Sequence, residues 1–481
     1  MDMLQVRGNK IVNQHGQDIR LRGTCIGGWM NMENFINGYP GAVHSLREAF
    51  EREIGPAKTA FWFESFLDHF FNEDDVRFIR FLGATAIRIP FNYRHFEDDA
   101  RPFKYLESGF RRLDRAIRWC TRHGLYVILD LHAVQGWQNP DWHSDNASNY
   151  AQFWQHPHFQ DRFVALWQEL ARRYKGNPTV AGYNVMNEPV THRGAFNRNP
   201  YTAAPVMTDW KAINRVYRRV VKAIRAIDPA HIIFLEGDDY SRLFSGLDAP
   251  FAPNLVYSSH NYMTPGQPAG QYPGRIQGVQ WDKARVASEF TACEGFRFAR
   301  KHSVPLWVGE FGSIFNGPAR EIPDRCRALD DQIAVMDERG VHWTTWTYKD
   351  VGVMGWVSPD PASAYMQAIG PSLRAKRRLH AEGWGYLAPA PVEKLVDQMG
   401  KMIATAVADP EQAAPCHHWH MKKAFLCTYV AGILQTPFAR AFKGMSEARI
   451  DKTLASWEVS SCKQDKTQLA VLKKHLELEK Q

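Results

Sequence analysis

Eight short β-rich runs alternate with amphipathic helical stretches along most of this 481-residue chain. Several of these runs are continuously apolar, which is typical of parallel strands buried on both faces. The runs are 21–26, 84–90, 125–132, 180–188, 231–236, 254–260, 304–310 and 341–347. Eight such units predict an α/β fold, a closed (β/α)8 TIM barrel with right-handed crossovers. A doubly wound open sheet is the weaker alternative, because no glycine-rich GxGxxG turn follows the first run.

Helical periodicity fills the gaps between the strands. The predicted helices are 74–82, 108–123, 160–174, 209–227, 284–301 and 324–339. A long segment, 27–63, follows the first strand, and the region after residue 390 reads as further helices at 391–407, 420–434, 445–456 and 466–478. We therefore expect residues 1–389 to form the barrel with an N-terminal hairpin. Residues 390–481 should form the last barrel helix and a helical C-terminal extension.

The composition excludes several classes of protein. With 44% hydrophobic and 23% charged residues, the chain is neither disordered nor fibrous. The net charge is +8, and residues 371–481 hold 17 Lys or Arg against 11 Asp or Glu, so the main body is nearly neutral. Nucleic acid is therefore not an expected partner. No apolar run reaches the ~18 residues that span a bilayer, so we expect no membrane partner either.

The cysteines and the first residues bear on the compartment. The seven cysteines form no C-x-x-C pair, and several lie in apolar surroundings, which favours reduced and buried thiols. The chain starts Met1-Asp2-Met3-Leu4 without the charged and apolar regions of a signal peptide. These features predict a cytoplasmic protein.

A histidine-rich run, His417-His418-Trp419-His420, invites a metal-site interpretation. Adjacent histidines do not converge easily on one ion, so a loop or a helix start is the better interpretation. We expect no metal.

Polar residues cluster where the predicted strands end. They are Arg88, His132, Asn187, Glu188, His260, Tyr262, Glu310 and Trp346. In a barrel these ends face the same side, where the βα loops build the active site. Any one residue has a structural explanation, such as an ion pair or a satisfied core histidine. Burying so many ionisable groups in one layer is costly unless they serve a site.

Two of these residues are carboxylates on facing strands. Glu188 ends the fourth predicted strand and Glu310 the seventh, three steps apart around an eight-stranded barrel, so both can face one cleft. Glycosidic bond cleavage needs such a pair. One carboxyl group protonates the leaving oxygen, and the other meets the oxocarbenium-like carbon.

The motifs around these residues resemble those of glycoside hydrolase family 5, the cellulase-like retaining β-glycosidases of clan A, over roughly residues 4–360. The matching motifs are IRIPFNY with Arg88, LDLHAVQG with His132, NVMNEP with Asn187 and Glu188, SSHNY with His260 and Tyr262, WVGEFG with Glu310, and WTTWTY with Trp346. The Asn-Glu-Pro and Gly-Glu-Phe pieces are specific in combination and weak singly.

The resemblance implies a role for each matched residue. Glu188 is implied as the acid/base and Glu310 as the nucleophile of a double displacement. Asn187 would hold the sugar 2-hydroxyl, and His260 would orient Glu188. The remaining implied roles are flanking Glu310 for Arg88 and Tyr262, binding glycone hydroxyls for His132, and stacking beneath the ring for Trp346. No metal or organic cofactor is implied.

The predicted loops say less about the substrate than the strand ends say about the reaction. Trp29, Trp137 and Trp356 lie in loops that could wall off one end of the cleft and so bind substrate. A walled cleft favours exo-action on oligosaccharides or small glycosides. An endo-β-glucanase on longer glucans, a furanoside-specific exo-glycosidase and a non-catalytic carbohydrate-binding barrel stay open, as does the sugar. The basic C-terminal helices could also mediate a homo-oligomer.

Overall fold

The computed structural model describes residues 1–191, 208–267, 270–382, 384, 389–407 and 421–477. Eight parallel strands form a closed barrel in which each strand pairs with the next along the chain. The strands are β1 (Arg22–Cys25), β2 (Ala86–Asn92), β3 (Tyr126–Ala133), β4 (Val180–Asn184), β5 (Ile232–Glu236), β6 (Leu255–His260), β7 (Leu306–Glu310) and β8 (His342–Thr345). The prediction of a (β/α)8 barrel is confirmed.

An N-terminal hairpin closes one end of the barrel. Its strands, Gln5–Arg7 and Lys10–Val12, pair antiparallel. The side chains of Leu4 and Ile11 belong to a buried cluster with inward-facing barrel residues, Trp307 among them. Because this end is plugged, the open end is the one where the strands finish and the βα loops begin.

Helices surround the barrel between and after the strands. They are Glu73–Phe81, Glu107–His123, Pro157–Tyr174, Trp210–Arg225, Lys283–Ala292, Glu294–His302, Ile322–Glu338 and Ala364–Arg378. A four-residue turn, Asp238–Ser241, follows β5. The predicted helix 284–301 is divided at Cys293, which has extended backbone angles. The helix that follows β8 is Ala364–Arg378, so it lies before residue 389 and outside the predicted 390–481 segment.

Smaller elements decorate the loops. Two-stranded pieces pair Glu97–Asp98 with Arg101–Tyr105 and Gly274–Ile276 with Val279–Trp281. Short 3-10 turns are Tyr93–His95, Trp142–Ser144, Gln152–Trp154, Thr264–Gly266, Ala319–Glu321, Ala455–Trp457 and Val459–Ser461.

The long segment after β1 folds into three helices, Asn34–Asn37, Val43–Ile54 and Pro56–Phe70. The latter two pack against C-terminal helices. Phe50 lies at the centre of this contact, with ring centroids 4.7 Å from Trp62 and 5.6 Å from Phe442. The segment is therefore part of a second hydrophobic layer and not a free loop.

The C-terminal region is helical, as predicted. Its helices are Ala390–Val407, a π-helical segment Met421–Val430, Ala431–Arg440, Glu447–Leu454 and Lys466–Leu476. A short strand, Cys462–Gln464, pairs antiparallel with Val357–Pro359, which follows β8. The run His417-His418-Trp419-His420 lies outside the described residues. Within the described ranges, no helix is both long and apolar enough to cross a membrane.

Trp457 ties the C-terminal region to the barrel. Its fully buried ring lies 4.9 Å from Phe70, 6.0 Å from Phe66 and 5.2 Å from Tyr365, measured between centroids. Large rings in such clusters dominate the energy of a core. The C-terminal helices therefore share the hydrophobic core of the barrel.

Replacing Trp457 by alanine should destabilise the whole protein. We expect the free energy of unfolding to fall by about 3–5 kcal/mol, the usual cost of removing a buried aromatic side chain. Phe425→Ala is the control, because that ring is 56% exposed; it should change stability by no more than about 0.5 kcal/mol. Urea unfolding followed by circular dichroism measures both. Equal stability of Trp457→Ala and the wild type would contradict a shared core.

Candidate active site

Glu310 and His260 face each other across neighbouring strands. Glu310 is the last residue of β7 and pairs with His260 of β6 at a point where the register of the two strands shifts. Gly309 permits this approach, since a Cβ there would lie 2.8 Å from Ser258 Oγ and 3.2 Å from His260 Nε2. Close packing at this position therefore requires the glycine that precedes Glu310.

Glu188 reaches the same place from the opposite wall. The structure ends β4 at Asn184, four residues earlier than predicted. The backbone of Glu188 has a φ of 45°, in the left-handed region that non-glycine residues seldom occupy. Such strain persists where the surroundings hold it, and it is concentrated at functional sites. This backbone conformation and the hydrogen-bond partners of the side chain together orient the carboxyl group of Glu188.

The two carboxyl groups are close together. One oxygen of Glu188, one oxygen of Glu310 and one nitrogen of His260 all lie within 4.8 Å of one another. All three residues are buried. Carboxyl groups ~5–5.5 Å apart suit a retaining glycosidase, whereas inverting enzymes hold them ~6.5–9.5 Å apart.

Both oxygens of Glu310 receive a hydrogen bond. Arg88 Nη1 donates to Oε1 over 2.6 Å, and the Tyr262 hydroxyl donates to Oε2 over 2.8 Å. Burial and the nearby charge of Glu310 hold the pKa of Tyr262 well above its ordinary value, so the hydroxyl keeps its proton. A cation and a neutral donor thus fix the position of both oxygens of Glu310.

Arg88 is the hub of a buried polar network. Its fully buried guanidinium also lies 3.1 Å from Asp130 and 3.2 Å from Glu236. Its Nη2 donates to Asn187 Oδ1 over 2.7 Å. The guanidinium of this β2 residue therefore joins residues of β3, β5 and β7 and the segment after β4.

Glu188 lies between two imidazoles. His260 Nδ1 is 2.6 Å from Oε1, and His143 Nε2 is 3.0 Å from Oε2. Burial raises the pKa of Glu188, but the hydrogen bonds from His143 and His260 outweigh it and hold this pKa well below the ordinary value. The pKa of His260 is held well above its own ordinary value against burial, chiefly by the charges of Glu310 and Glu236. The protons of this cluster thus reside on the imidazoles.

His132 forms a second charged layer beneath Trp346. Its Nδ1 is 2.7 Å from Asp130, and its Nε2 is 3.1 Å from Glu33. Burial alone would lower the pKa of His132. The carboxylates of Asp130 and Glu33 outweigh burial and raise this pKa to about 10. The ring stacks on Trp346 with 5.2 Å between centroids and 8° between planes. A cationic imidazole therefore supports the indole that is predicted to lie beneath the sugar.

The structure brings eight of the predicted site residues into one cluster. They are Arg88, His132, Asn187, Glu188, His260, Tyr262, Glu310 and Trp346. Two predicted substrate contacts lie elsewhere. Trp29 is fully buried, and its indole donates to the Leu67 carbonyl over 2.8 Å. Trp356 is fully buried and donates to Thr345 Oγ1 over 2.8 Å. A buried indole needs a protein partner for its N–H, and both tryptophans have one. Both therefore belong to the protein interior and not to the substrate-binding surface.

Trp137, the third predicted loop tryptophan, is half-buried. Its ring lies 6.2 Å from that of His44, between centroids. It belongs to the loop after β3, and its described ring contacts do not include either catalytic candidate.

Sequence reasoning missed two members of the network, Asp130 and His143. Asp130 stands two residues before His132 on the same strand face, and that spacing was a usable signal. Glu236 ends β5 as Glu188 and Glu310 end their segments. It accepts a hydrogen bond from the Glu188 backbone N–H over 2.8 Å. His143 lies in an irregular loop, so its position could not be read from periodicity.

The cluster of Glu188, His260 and Glu310 also has the spacing that could hold a metal ion. Each oxygen of Glu310 already receives a donor, however, and each oxygen of Glu188 faces an imidazole. The arrangement is suited to moving a proton and stabilising a cationic carbon between two carboxyl groups.

Comparison with known proteins agrees with this chemistry. The family "Cellulase (glycosyl hydrolase family 5)" matches residues 48–352. A β-xylosidase of Phanerodontia chrysosporium is 35% identical, with 96% of each chain covered. Endoglucanase C of Acetivibrio thermocellus is 24% identical over 59% of this chain and 85% of its own. A probable glucan 1,3-β-glucosidase A of Aspergillus clavatus is 25% identical over 71% and 85%.

The profile match covers more than half of the chain, and the β-xylosidase aligns along nearly all of both proteins. These similarities extend through the segments that carry Arg88, Glu188 and Glu310. The chain belongs to glycoside hydrolase family 5 and is a β-glycosidase.

Proposed function

We propose that this protein is a retaining, exo-acting β-glycosidase that removes single β-xylosyl residues from short oligosaccharides or small glycosides. The observation that carries the chemistry is the approach of Glu188 and Glu310 to within 4.8 Å. Support for xylosides comes from the β-xylosidase of Phanerodontia chrysosporium, which is similar to this chain over 96% of its length.

In the first step Glu310 attacks the anomeric carbon, and the bond from that carbon to the leaving oxygen breaks. Glu188 takes a proton from the imidazolium of His143 or His260 and passes it to the leaving oxygen, so that the imidazole is left neutral and Glu188 is left ionised. Arg88 and Tyr262 each donate a hydrogen bond to Glu310 and hold its carboxyl group in place for the attack. The product is a glycosyl ester of Glu310 and a free aglycone.

In the second step Glu188 acts as a base. It removes a proton from water as the water oxygen bonds to the anomeric carbon, and the ester bond to Glu310 breaks. Once Glu310 is esterified, its negative charge is gone, and this favours the ionised form of Glu188 that a base requires. The free sugar leaves with the configuration of the substrate.

Contacts around the mouth of the barrel support exo-action. The loop after β3 packs on the segment after β1, with ring centroids of Phe35 and Trp142 5.9 Å apart. The same loop meets the segment after β5, where Tyr240 donates to Asp141 over 2.5 Å. Three βα loops are thereby joined on one side. A mouth walled on one side favours binding of a chain end over binding of the middle of a polymer.

Replacing Glu310 by glutamine should abolish the reaction. An amide cannot form the covalent intermediate, so we expect turnover on every substrate to fall by several orders of magnitude, at least about 1,000-fold. Release of 4-nitrophenol from an aryl β-xyloside measures this. Glu338→Gln is the matched control, since that carboxyl group is exposed on an outer helix. Near-normal rates in Glu310→Gln would end the assignment of the nucleophile.

The products formed from xylotetraose should distinguish exo- from endo-action. An exo-acting enzyme releases xylose and xylotriose from the first minutes, with no early xylobiose. Chromatography of the early reaction mixture, beside a panel of aryl β-glucoside, β-galactoside, β-mannoside and α-arabinofuranoside, provides the measurement. Early xylobiose would favour an endo-acting enzyme, and a faster rate on another glycoside would replace xylose as the sugar.

A further inference from the structure

We propose that the C-terminal segment 421–440 completes the active site. In this proposal Lys423 clamps two βα loops over the barrel mouth, and the clamped loop holds His143 as a positioning residue against Glu188. The inference rests on the proposed role of Glu188 as the acid/base. It gives the C-terminal extension a role in the reaction, beyond its packing on the barrel.

The first link is an ion pair between the extension and the loop after β3. Lys423 Nζ lies 2.6 Å from Asp141 Oδ2, with side chains only 15% and 8% exposed. The same ammonium group donates to the Tyr240 hydroxyl over 2.9 Å. The Lys423 charge lowers the pKa of Asp141 despite the burial that raises it. One lysine thus joins the loops that follow β3 and β5.

Hydrophobic packing reinforces this link beside Asp141. Leu426 and Cys427 of the extension form a buried cluster with Val396, and Trp142 packs on its edge. Trp142 immediately precedes His143, and their rings lie 5.5 Å apart between centroids. The extension therefore contacts Asp141 and Trp142, the two residues that precede His143.

The second link runs from His143 to Glu188. The Nε2 atom of His143 is 3.0 Å from Glu188 Oε2 and 2.9 Å from Asn139 Nδ2. Asn31 donates to the His143 carbonyl over 3.0 Å, so the backbone of this residue is also held. The charged or titratable groups that act on the His143 ring are Glu188, Asp141 and Glu33.

The segment after β5 is strained where it meets this loop. Asp239, Tyr240 and Ser241 have φ values of 50°, 59° and 62°. Three consecutive non-glycine residues in the left-handed region need surroundings that hold them. The bonds of Tyr240 to Asp141 and Lys423 supply part of that restraint, and its ring lies 6.1 Å from that of His143.

These contacts predict how the site depends on the clamp. His260 orients one oxygen of Glu188, and His143 orients the other. Loss of the Lys423 ion pair frees the loop that carries His143, so Glu188 keeps only one imidazole. The proton transfer to the leaving oxygen then suffers, whereas attack by Glu310 is unaffected. The loss should therefore be large for leaving groups that need a proton and small for those that do not.

The experiment compares Lys423→Met with Lys422→Met in the full-length chain. Lys422 is the adjacent residue and pairs with Glu393 inside the extension, so its replacement makes the same charge change without touching the clamp. His143→Gln tests the second link. Each variant is assayed on methyl β-xyloside, which has a poor leaving group, and on 2,4-dinitrophenyl β-xyloside, which has a very good one. Glu188→Ala is assayed beside them.

We expect kcat/KM on the methyl glycoside to fall about 10- to 100-fold in Lys423→Met and in His143→Gln, part of the 10²–10⁴ that a general acid contributes. The rate of bond cleavage on the dinitrophenyl glycoside, followed in the pre-steady state, should change less than about 3-fold. Lys422→Met should match the wild type on both substrates. Lys423→Arg should keep most of the wild-type activity on the methyl glycoside, because it retains the positive charge beside Asp141.

Two outcomes overturn the inference. Equal losses on both substrates, or none, in Lys423→Met and His143→Gln would contradict it while Glu188→Ala still discriminates between leaving groups. If Glu188→Ala itself does not discriminate, the acid/base assignment fails and the inference falls with it. Should Lys423→Met prove unstable on thermal unfolding, Asp141→Asn, which removes the other charge of the same ion pair, carries the test beside His143→Gln.

Discussion

The buried guanidinium of Arg88 is the interaction on which the site depends. It carries one positive charge among three carboxylates, at 2.6 Å from Glu310, 3.1 Å from Asp130 and 3.2 Å from Glu236. Charges in a barrel interior are tolerated only when they are paired and hydrogen-bonded, and removal of one partner leaves the others uncompensated. This network positions the carboxyl group of Glu310 and, through Glu236, holds the backbone of Glu188. The same charged groups therefore stabilise the site and position its catalytic carboxyl groups.

Much of this architecture could be predicted from the sequence. Eight β-rich runs alternating with helical stretches predicted the barrel, and the continuously apolar runs among them are typical of strands buried on both faces. Polar residues at strand ends then identified the cluster around Glu188 and Glu310. Trp29 and Trp356 show the limit of that reasoning. A tryptophan in a loop reads the same whether it faces a sugar or the core, and only the partner of its N–H distinguishes the two.

His143 was missed for a physical reason. His143 lies in an irregular loop whose conformation depends on contacts with segments nearly 100 and 280 residues away, through Tyr240 and Lys423. No local pattern encodes such contacts. The C-terminal extension illustrates the same point at a larger scale. Its helices were visible in the sequence, but their packing through Trp457 and their approach to the barrel mouth depend on tertiary structure. Specificity in this fold is built by those additions to a common barrel.

The central claim is that Glu188 and Glu310 act in a double displacement. The configuration of the sugar at the moment of release tests it most directly. Proton NMR during the first minutes of hydrolysis of an aryl β-xyloside resolves the anomeric signals before mutarotation mixes them. The account predicts that β-xylose appears first and that the α-anomer grows in later. Initial release of α-xylose would contradict the covalent intermediate on Glu310 and require a single inverting displacement.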